Sequence, residues 1–213
     1  RLAFGQAYKY RHNDMADLRK VLEKIPQTGG ILIILDGVFS MEGDIALLPQ
    51  IRTIADEFKA RIYLDEAHAL GVLGQTGRGT IEHFHGTAKP DIMMCTFSKA
   101  FASIGGFVAA SAQVIDYIKH FARPLIFSAS MPPATIGAAL KALEIIEKEP
   151  QRVHRLQAIG QKMREGFSGM GFDIGTAETP IVPLHIGDNQ KTFLFWKALF
   201  ERGVYVNPVI APA

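Results

Sequence analysis

Lys99 stands just beyond a short apolar run, Ile92-Met-Met-Cys95, and is followed by small residues and a Gly105-Gly106 pair. Burial at the end of such a strand would destabilise the ammonium form and turn the side chain into an amine nucleophile, the group that Schiff-base chemistry needs. On that stretch alone, a surface lysine just past a strand explains the pattern as well. Two upstream stretches add to it. The apolar run Ile31 to Leu35 ends in Asp36 and a loop that carries Ser40, and Arg61 to Leu64 ends in Asp65-Glu-Ala-His68. The lysine run itself carries Thr96 and Ser98. Ligands in an open parallel sheet collect at the carboxyl ends of the strands, so one site would hold an acid, a histidine, hydroxyls and an amine.

These are the parts a pyridoxal phosphate site requires. A lysine holds the aldehyde as an imine, and a carboxylate keeps the ring nitrogen protonated. Hydrogen-bonding side chains hold the ring oxygen, and strand-end hydroxyls receive the phosphate. Taken singly, Asp65 could be a loop acid, His68 a hydrogen-bonded core or surface histidine, and Ser40 carries no signal. A rival reading takes Asp65-Glu-Ala-His68 as the acidic motif of a nucleotide-hydrolysing motor. Its partner, the GxxxxGK[ST] phosphate loop, is absent from the sequence. Gly77-Arg-Gly79 does not complete a dinucleotide fingerprint, and His83-Phe-His85 lacks further ligands at metal-binding spacing, so no metal is assigned.

The elements that must position these groups alternate. His12-Asn13-Asp14 reads as the start of a helix with Leu18, Val21, Leu22 and Ile25 on one face. A second helical stripe runs from Leu47 to Phe58. Ile31 to Leu35, Arg61 to Leu64, Asp91 to Thr96 and Phe107 to Ala110 read as strands, the first buried on both faces. The expectation is an α/β fold with a mostly parallel sheet flanked by helices, as the cofactor-binding large domain over residues 1–145. Further on, Arg123 to Ser128 reads as extended. Helices begin at Pro132-Pro133, with Ile136, Ala139, Leu140 and Leu143 inward, and at Pro150, with Val153, Leu156, Ile159, Met163 and Phe167 inward. Strands at Ile181 to Ile186 and Val204 to Val206, around a helix with Phe193, Trp196 and Phe200 on one face, suggest part of a small α+β domain over 146–213. Of the 213 residues, 48% are hydrophobic and the net charge is +2, a balance that points to neither nucleic acid nor an acidic partner. The single cysteine, Cys95, excludes an intramolecular disulfide and fits a reducing, cytoplasmic setting. No apolar run reaches the roughly 18 residues of a membrane span.

Asp36-Gly-Val-Phe-Ser-Met-Glu-Gly-Asp44, Asp65-Glu-Ala-His68 and Thr96-Phe-Ser-Lys99 strongly resemble the α-oxoamine synthases, pyridoxal-phosphate enzymes of the aspartate-aminotransferase fold (fold type I). Gly77-Arg-Gly79, Arg123-Pro-Leu-Ile-Phe-Ser-Ala-Ser-Met-Pro-Pro133 and Val206-Asn-Pro-Val209 extend the likeness along nearly the whole chain. The resemblance implies that Lys99 is the Schiff-base lysine and proton carrier, and Asp65 the pyridinium partner. His68 and Ser40 would bond the ring oxygen, with His68 also positioning substrate. Thr96 would be a phosphate ligand, and Ser128 would reach the phosphate of a neighbouring subunit, implying a homodimer with shared active sites. Family members join an amino acid to an acyl-CoA with loss of CO₂ and CoA. Within the family the lysine stretch, with Ile126 to Pro133 and Val206-Asn-Pro, is most similar to bacterial serine palmitoyltransferases, implying L-serine, a long-chain acyl-CoA and a 3-keto amine product in sphingolipid synthesis. The glycine- and alanine-using members, 2-amino-3-ketobutyrate ligase and 8-amino-7-oxononanoate synthase, often carry glycine where Ser98 stands. A catalytically inactive partner subunit is a third reading, disfavoured by the presence of Lys99, Asp65 and His68. The chain reads as a piece truncated at both ends, with the ring-stacking residue expected before Arg1 and the substrate-carboxylate arginine beyond Ala213.

Overall fold

The structure is a computed structural model and describes residues 5–26 and 28–210. Of Asn13 and Asp14, the two N-cap candidates in the sequence, Asp14 caps α1 (Met15–Lys24) by accepting from Asp17 N at 2.8 Å. β1 (Leu32–Asp36) follows. Pro49 sits in the first turn of α2 (Leu48–Glu57), where its missing N–H costs nothing. β2 (Arg61–Asp65), the single-turn α3 (Thr80–His83), β3 (Ile92–Thr96) and β4 (Gly106–Ala110) complete the first half. The sheet order is β1-β2-β3-β4, with the first three strands parallel and β4 antiparallel to β3. This is the α/β, mostly parallel sheet that the sequence predicts.

Strand alternation divides the sheet into two faces. Ile33, Leu35, Ile62 and Leu64 point to one side, where Leu18 and Leu22 of α1 and Leu48, Ile51 and Ile54 of α2 bury them. Burying a side chain of this size contributes about 1.5–3 kcal/mol, so this layer fixes how the strand ends line up. A polar staple reinforces it. Asp91 Oδ2 accepts from Ile62 N at 2.8 Å and from Arg52 of α2 at 2.9 Å, while Oδ1 accepts from Arg61 at 2.9 Å. The other face is open. Ile34 is 65% exposed and Leu32 47%. The expectation that β1 is buried on both faces is therefore wrong, because among the described residues helices cover one side only.

The second half departs further from expectation. α4 (Ala112–Phe121), capped by Ser111, was not anticipated. Residues 123–128 do not run extended: Arg123–Ile126 form the short helix α5, with Pro124 holding its first turn at a helical φ. α6 (Pro133–Lys148) and α7 (Gln151–Gly169) form where the proline signals place them. Their apolar stripes are buried only in part: Ala139 and Val153 are covered, whereas Ile136, Leu140, Leu143, Ile159 and Met163 are exposed. α8 (Asn189–Glu201), capped by Asp188, is as predicted. Residues 181–186 and 204–206 join no sheet: His185 N donates to Asp173 O at 2.9 Å, but among the described residues no strand pairs with either stretch in a ladder. Among the described residues no helix is long and apolar enough to cross a membrane.

Candidate active site

Parallel pairing sets Asp36 directly beside Asp65, and the register carries from Asp65 to Met94 on β3, two residues before Thr96. Side chains two apart share a face. Asp36, Asp65 and Thr96 therefore stand together on the open side of the sheet, each at the carboxyl end of its strand. Two of the predicted groups, Asp65 and Thr96, meet Asp36 there for a simple reason: Asp36 and Asp65 close strands in matched register, and Thr96 lies two residues further along β3 on the same face.

Asp65 Oδ1 accepts from Ala67 N at 2.8 Å, which steers the chain into the turn that carries His68. The second Asp65 oxygen has no hydrogen bond among the described residues. Desolvation raises the Asp36 pKa, the charge of Asp65 raises it further, and His68 opposes both. For His68 the order is desolvation and then the charge of Lys99, which lower its pKa, against Asp36 and Asp65, which raise it. The four side chains thus share one electrostatic neighbourhood. Close packing brings the lysine loop there: Gly71, just past the His68 turn, lies so close to the Ala100 side chain that a Cβ on it would fall 2.5 Å from the Ala100 Cβ.

Lys99 itself is exposed, the second of the two placements that the sequence leaves open. It follows β3 on a loop that closes on itself. Phe97 N donates to Gly105 O at 2.8 Å, Ser103 N to Phe97 O at 2.8 Å, and Ala102 N to Lys99 O at 3.0 Å. Phe101 anchors the loop in the core, 5.3 Å from the Phe97 ring. The lysine is held by its backbone above a sheet face with no covering layer, which is why burial is absent although position is fixed. Thr96 Oγ1 shares a hydrogen bond with Ser98 Oγ at 2.8 Å and lies 3.1 Å from Gly105 O.

Ser40 lies on the β1–α2 loop and is exposed. Ser128 follows α5, exposed, with its hydroxyl donated to the Pro124 carbonyl, and no described contact links it to Asp65, His68 or Lys99. Cys95 is a core residue: it is 1% exposed, and burial, then the charges of Glu66 and Asp65, push its thiol up to about 12.

Two residues escaped the sequence reading as site groups. Asp36 was visible as a strand end but not as a partner of Asp65, since register cannot be read from one strand. Glu66 was hidden inside the Asp65-Glu-Ala-His68 match. Alternation was the available signal: with Asp65 on the open face, the next residue must turn inward. Glu66 is fully buried, and desolvation raises its pKa to about 7, with hydrogen bonds from Thr80 opposing.

The family model for aminotransferase class I and II matches residues 1–213. The chain is 50% identical over 213 residues to a serine palmitoyltransferase of Sphingobacterium spiritivorum, covering all of this chain and 53% of that protein. It is 43% identical to an 8-amino-7-oxononanoate synthase of Treponema denticola, covering 54% of that protein. A solved serine palmitoyltransferase from S. paucimobilis, an alanine-for-lysine variant with a bound PLP–myriocin aldimine, superposes with a TM-score of 0.87 at 33% identity, over 93% of this chain and 52% of the other. The chain thus spans about half the length of the curated relatives it matches.

Proposed function

The chain belongs to the aminotransferase class I and II family, and on that premise we propose that the protein carrying it condenses an amino acid, L-serine in the first instance, with a long-chain acyl-CoA. The α-carbon of the amino acid bonds to the thioester carbonyl carbon, the C–S bond breaks to release CoA, and the carboxylate leaves as CO₂, giving a 3-keto amine. The observation that carries this reading is the meeting of Asp65, His68 and Lys99 at one sheet end. Identities of 50–51% to three serine palmitoyltransferases, against 39–44% to the 8-amino-7-oxononanoate synthases, support serine over alanine.

The residues fit pyridoxal phosphate. Asp65 is fixed through one oxygen and keeps the other for a ring nitrogen. His68 and Ser40 would bond the ring oxygen, the Thr96 and Ser128 hydroxyls would take phosphate, and Lys99 would hold the aldehyde carbon. When bound, the cofactor supplies a sink for the electron pair left at the substrate α-carbon. Lys99 Nζ takes the α-proton and later returns one, a role its exposed, loop-held position permits. His68, kept neutral by burial and by the Lys99 charge, can donate a hydrogen bond without adding a cation beside that amine. The same proposal includes a large unit over 1–145 and a smaller one over 146–213, a homodimer in which Ser128 serves the neighbouring site, no nucleic-acid partner, and a cytoplasmic location. The nucleotide-motor reading of Asp65-Glu-Ala-His68 finds no support in the family match.

Borohydride reduction of the full-length protein with pyridoxal phosphate, followed by peptide mapping, tests the lysine: label belongs on Lys99, and label elsewhere sinks the assignment. Release of CO₂ and CoA is then compared among serine, glycine and alanine with one long-chain acyl-CoA. Faster turnover of alanine or glycine would replace the serine reading with that of the corresponding relative.

A further inference from the structure

Glu66 lies between two residues assigned to the site, yet its side chain points away from it. Glu66 and Thr80 are both wholly buried. Thr80 N donates to both carboxylate oxygens, at 3.1 and 3.0 Å, and Thr80 Oγ1 donates to Oε2 at 3.1 Å. The Glu66 backbone is committed as well. Its N–H reaches Met94 O on β3 at 2.8 Å, and its carbonyl accepts from Ala69 and Leu70 at 3.0 Å each, closing the turn on which His68 rides. Space has been cleared around the carboxylate from two further directions. A Cβ on Gly79 would fall 2.5 Å from Oε2, and one on Gly37 would fall 2.2 Å from Thr80 Oγ1 and 3.3 Å from Glu66 Oε2. Gly79 also takes φ +85°, a conformation that side chains rarely adopt. The loop after β1 and the glycine-studded loop before α3 therefore converge on the buried carboxylate of the β2 turn, while strand β3 holds the same residue by its backbone.

We propose that Glu66 is a positioning residue for the reaction: its carboxylate, gripped by Thr80, locks the β2 turn against the glycine-studded loop and so fixes Asp65 and His68 for the cofactor. The inference rests on the proposed role of Asp65. Chemistry explains why a carboxylate is used. The Thr80 N–H and O–H both donate, and Glu66 in its ionised form, which prevails above about pH 7, offers them acceptors only, whereas an amide would turn a donor group toward one of them. Aspartate keeps the charge but is one methylene short of Thr80. Charge and reach can therefore be separated by substitution.

The test uses the full-length protein and reads the dissociation constant for pyridoxal phosphate, with the pH dependence of the visible band of the bound cofactor, after circular dichroism has shown each variant folded. Glu66→Gln and Glu66→Asp should each weaken binding roughly tenfold and shift the pH transition of the band, since each disturbs a charged, buried hydrogen-bond set. Thr80→Val, nearly isosteric, removes one of these bonds and should weaken binding a few-fold, which keeps the idea testable if the Glu66 variants do not fold. Asp65→Asn is the control. Unchanged binding and an unchanged band in Asp65→Asn would overturn the cofactor reading and this inference with it. Loss in Asp65→Asn alongside wild-type behaviour in the Glu66 and Thr80 variants would overturn this inference alone.

Discussion

Replacing Glu66 by glutamine should change how stability depends on pH, and the size of the change follows from its burial. Desolvation lifts the folded-state pKa from 4.5 to about 7. The folded protein then holds this proton more tightly than the unfolded chain does. Stability from this group is fully present below the unfolded value, falls as pH rises from 4.5, and levels off above about 7. At about 1.4 kcal/mol per pH unit, the full fall is about 3 kcal/mol. Glutamine does not titrate, so the stability difference between parent and variant should shrink by that amount between about pH 4.5 and pH 7.5. His68 acts in the opposite sense nearby: its lowered pKa adds stability as pH rises toward 6.5. Asp91, held low despite partial burial by Ile62 N, Arg52 and Arg61, adds stability above the acid range, and that contribution is lost only as pH falls through its depressed pKa. The Asp91 effect is common to parent and variant and cancels in the difference. Urea unfolding of the cofactor-free protein across about pH 4 to 8 supplies the curve. A difference that stays flat over that range would refute the reasoning, because it would mean that the buried carboxylate ionises as if in water.

Lys99→Ala should abolish borohydride-stable labelling and turnover while leaving stability within about 0.5 kcal/mol, since the side chain is exposed and makes no described hydrogen bond; mass mapping and a urea midpoint check the two halves. Gly79→Ala should cost about 2–4 kcal/mol, from the φ of +85° and the approach to Glu66, and a midpoint near that of the parent would contradict the packing described around Oε2. Leu64→Ala, at a position with no exposed surface, should cost about 2–5 kcal/mol in the same assay. Asp91→Asn should lose about 1–3 kcal/mol, because Arg52 and Arg61 are left facing an amide; additivity with Arg52→Ala would argue that the two do not form one network.

The first half of the chain was legible because its signals are local. Asp14 before an apolar stripe, Pro49 in a first turn, and β-rich runs ending in polar residues each state an element and its end. The second half was less so. Arg123 to Ser128 reads as extended by composition, yet Pro124 fits a helical first turn equally well, and only packing decides. Residues 181–186 and 204–206 have strand composition, but a strand exists only with a partner, and no such partner lies among the described residues. The side on which a side chain points can be read from alternation, whereas what lies against that side is written in other stretches. This is why β1 seemed buried twice over and why Leu140 and Ile159 seemed to be core residues.

For the site, types and order were legible and mutual placement was not. Lys99, Asp65 and His68 declared themselves as chemistry, but their meeting depends on the register that sets Asp36 beside Asp65 and on the contact between Gly71 and Ala100. The lysine shows the limit most sharply. Its reactivity was inferred from burial, and the structure shows exposure on a loop fixed by Phe101 and three backbone hydrogen bonds. What the fold supplies to Lys99 is therefore orientation. Burial is spent one residue away, on Glu66, where it stiffens the turn that carries the two site residues beside it. A strand end can in this way serve both demands: alternate residues face the open side for chemistry and the closed side for rigidity, and the adjacent acids Asp65 and Glu66 divide those tasks between them.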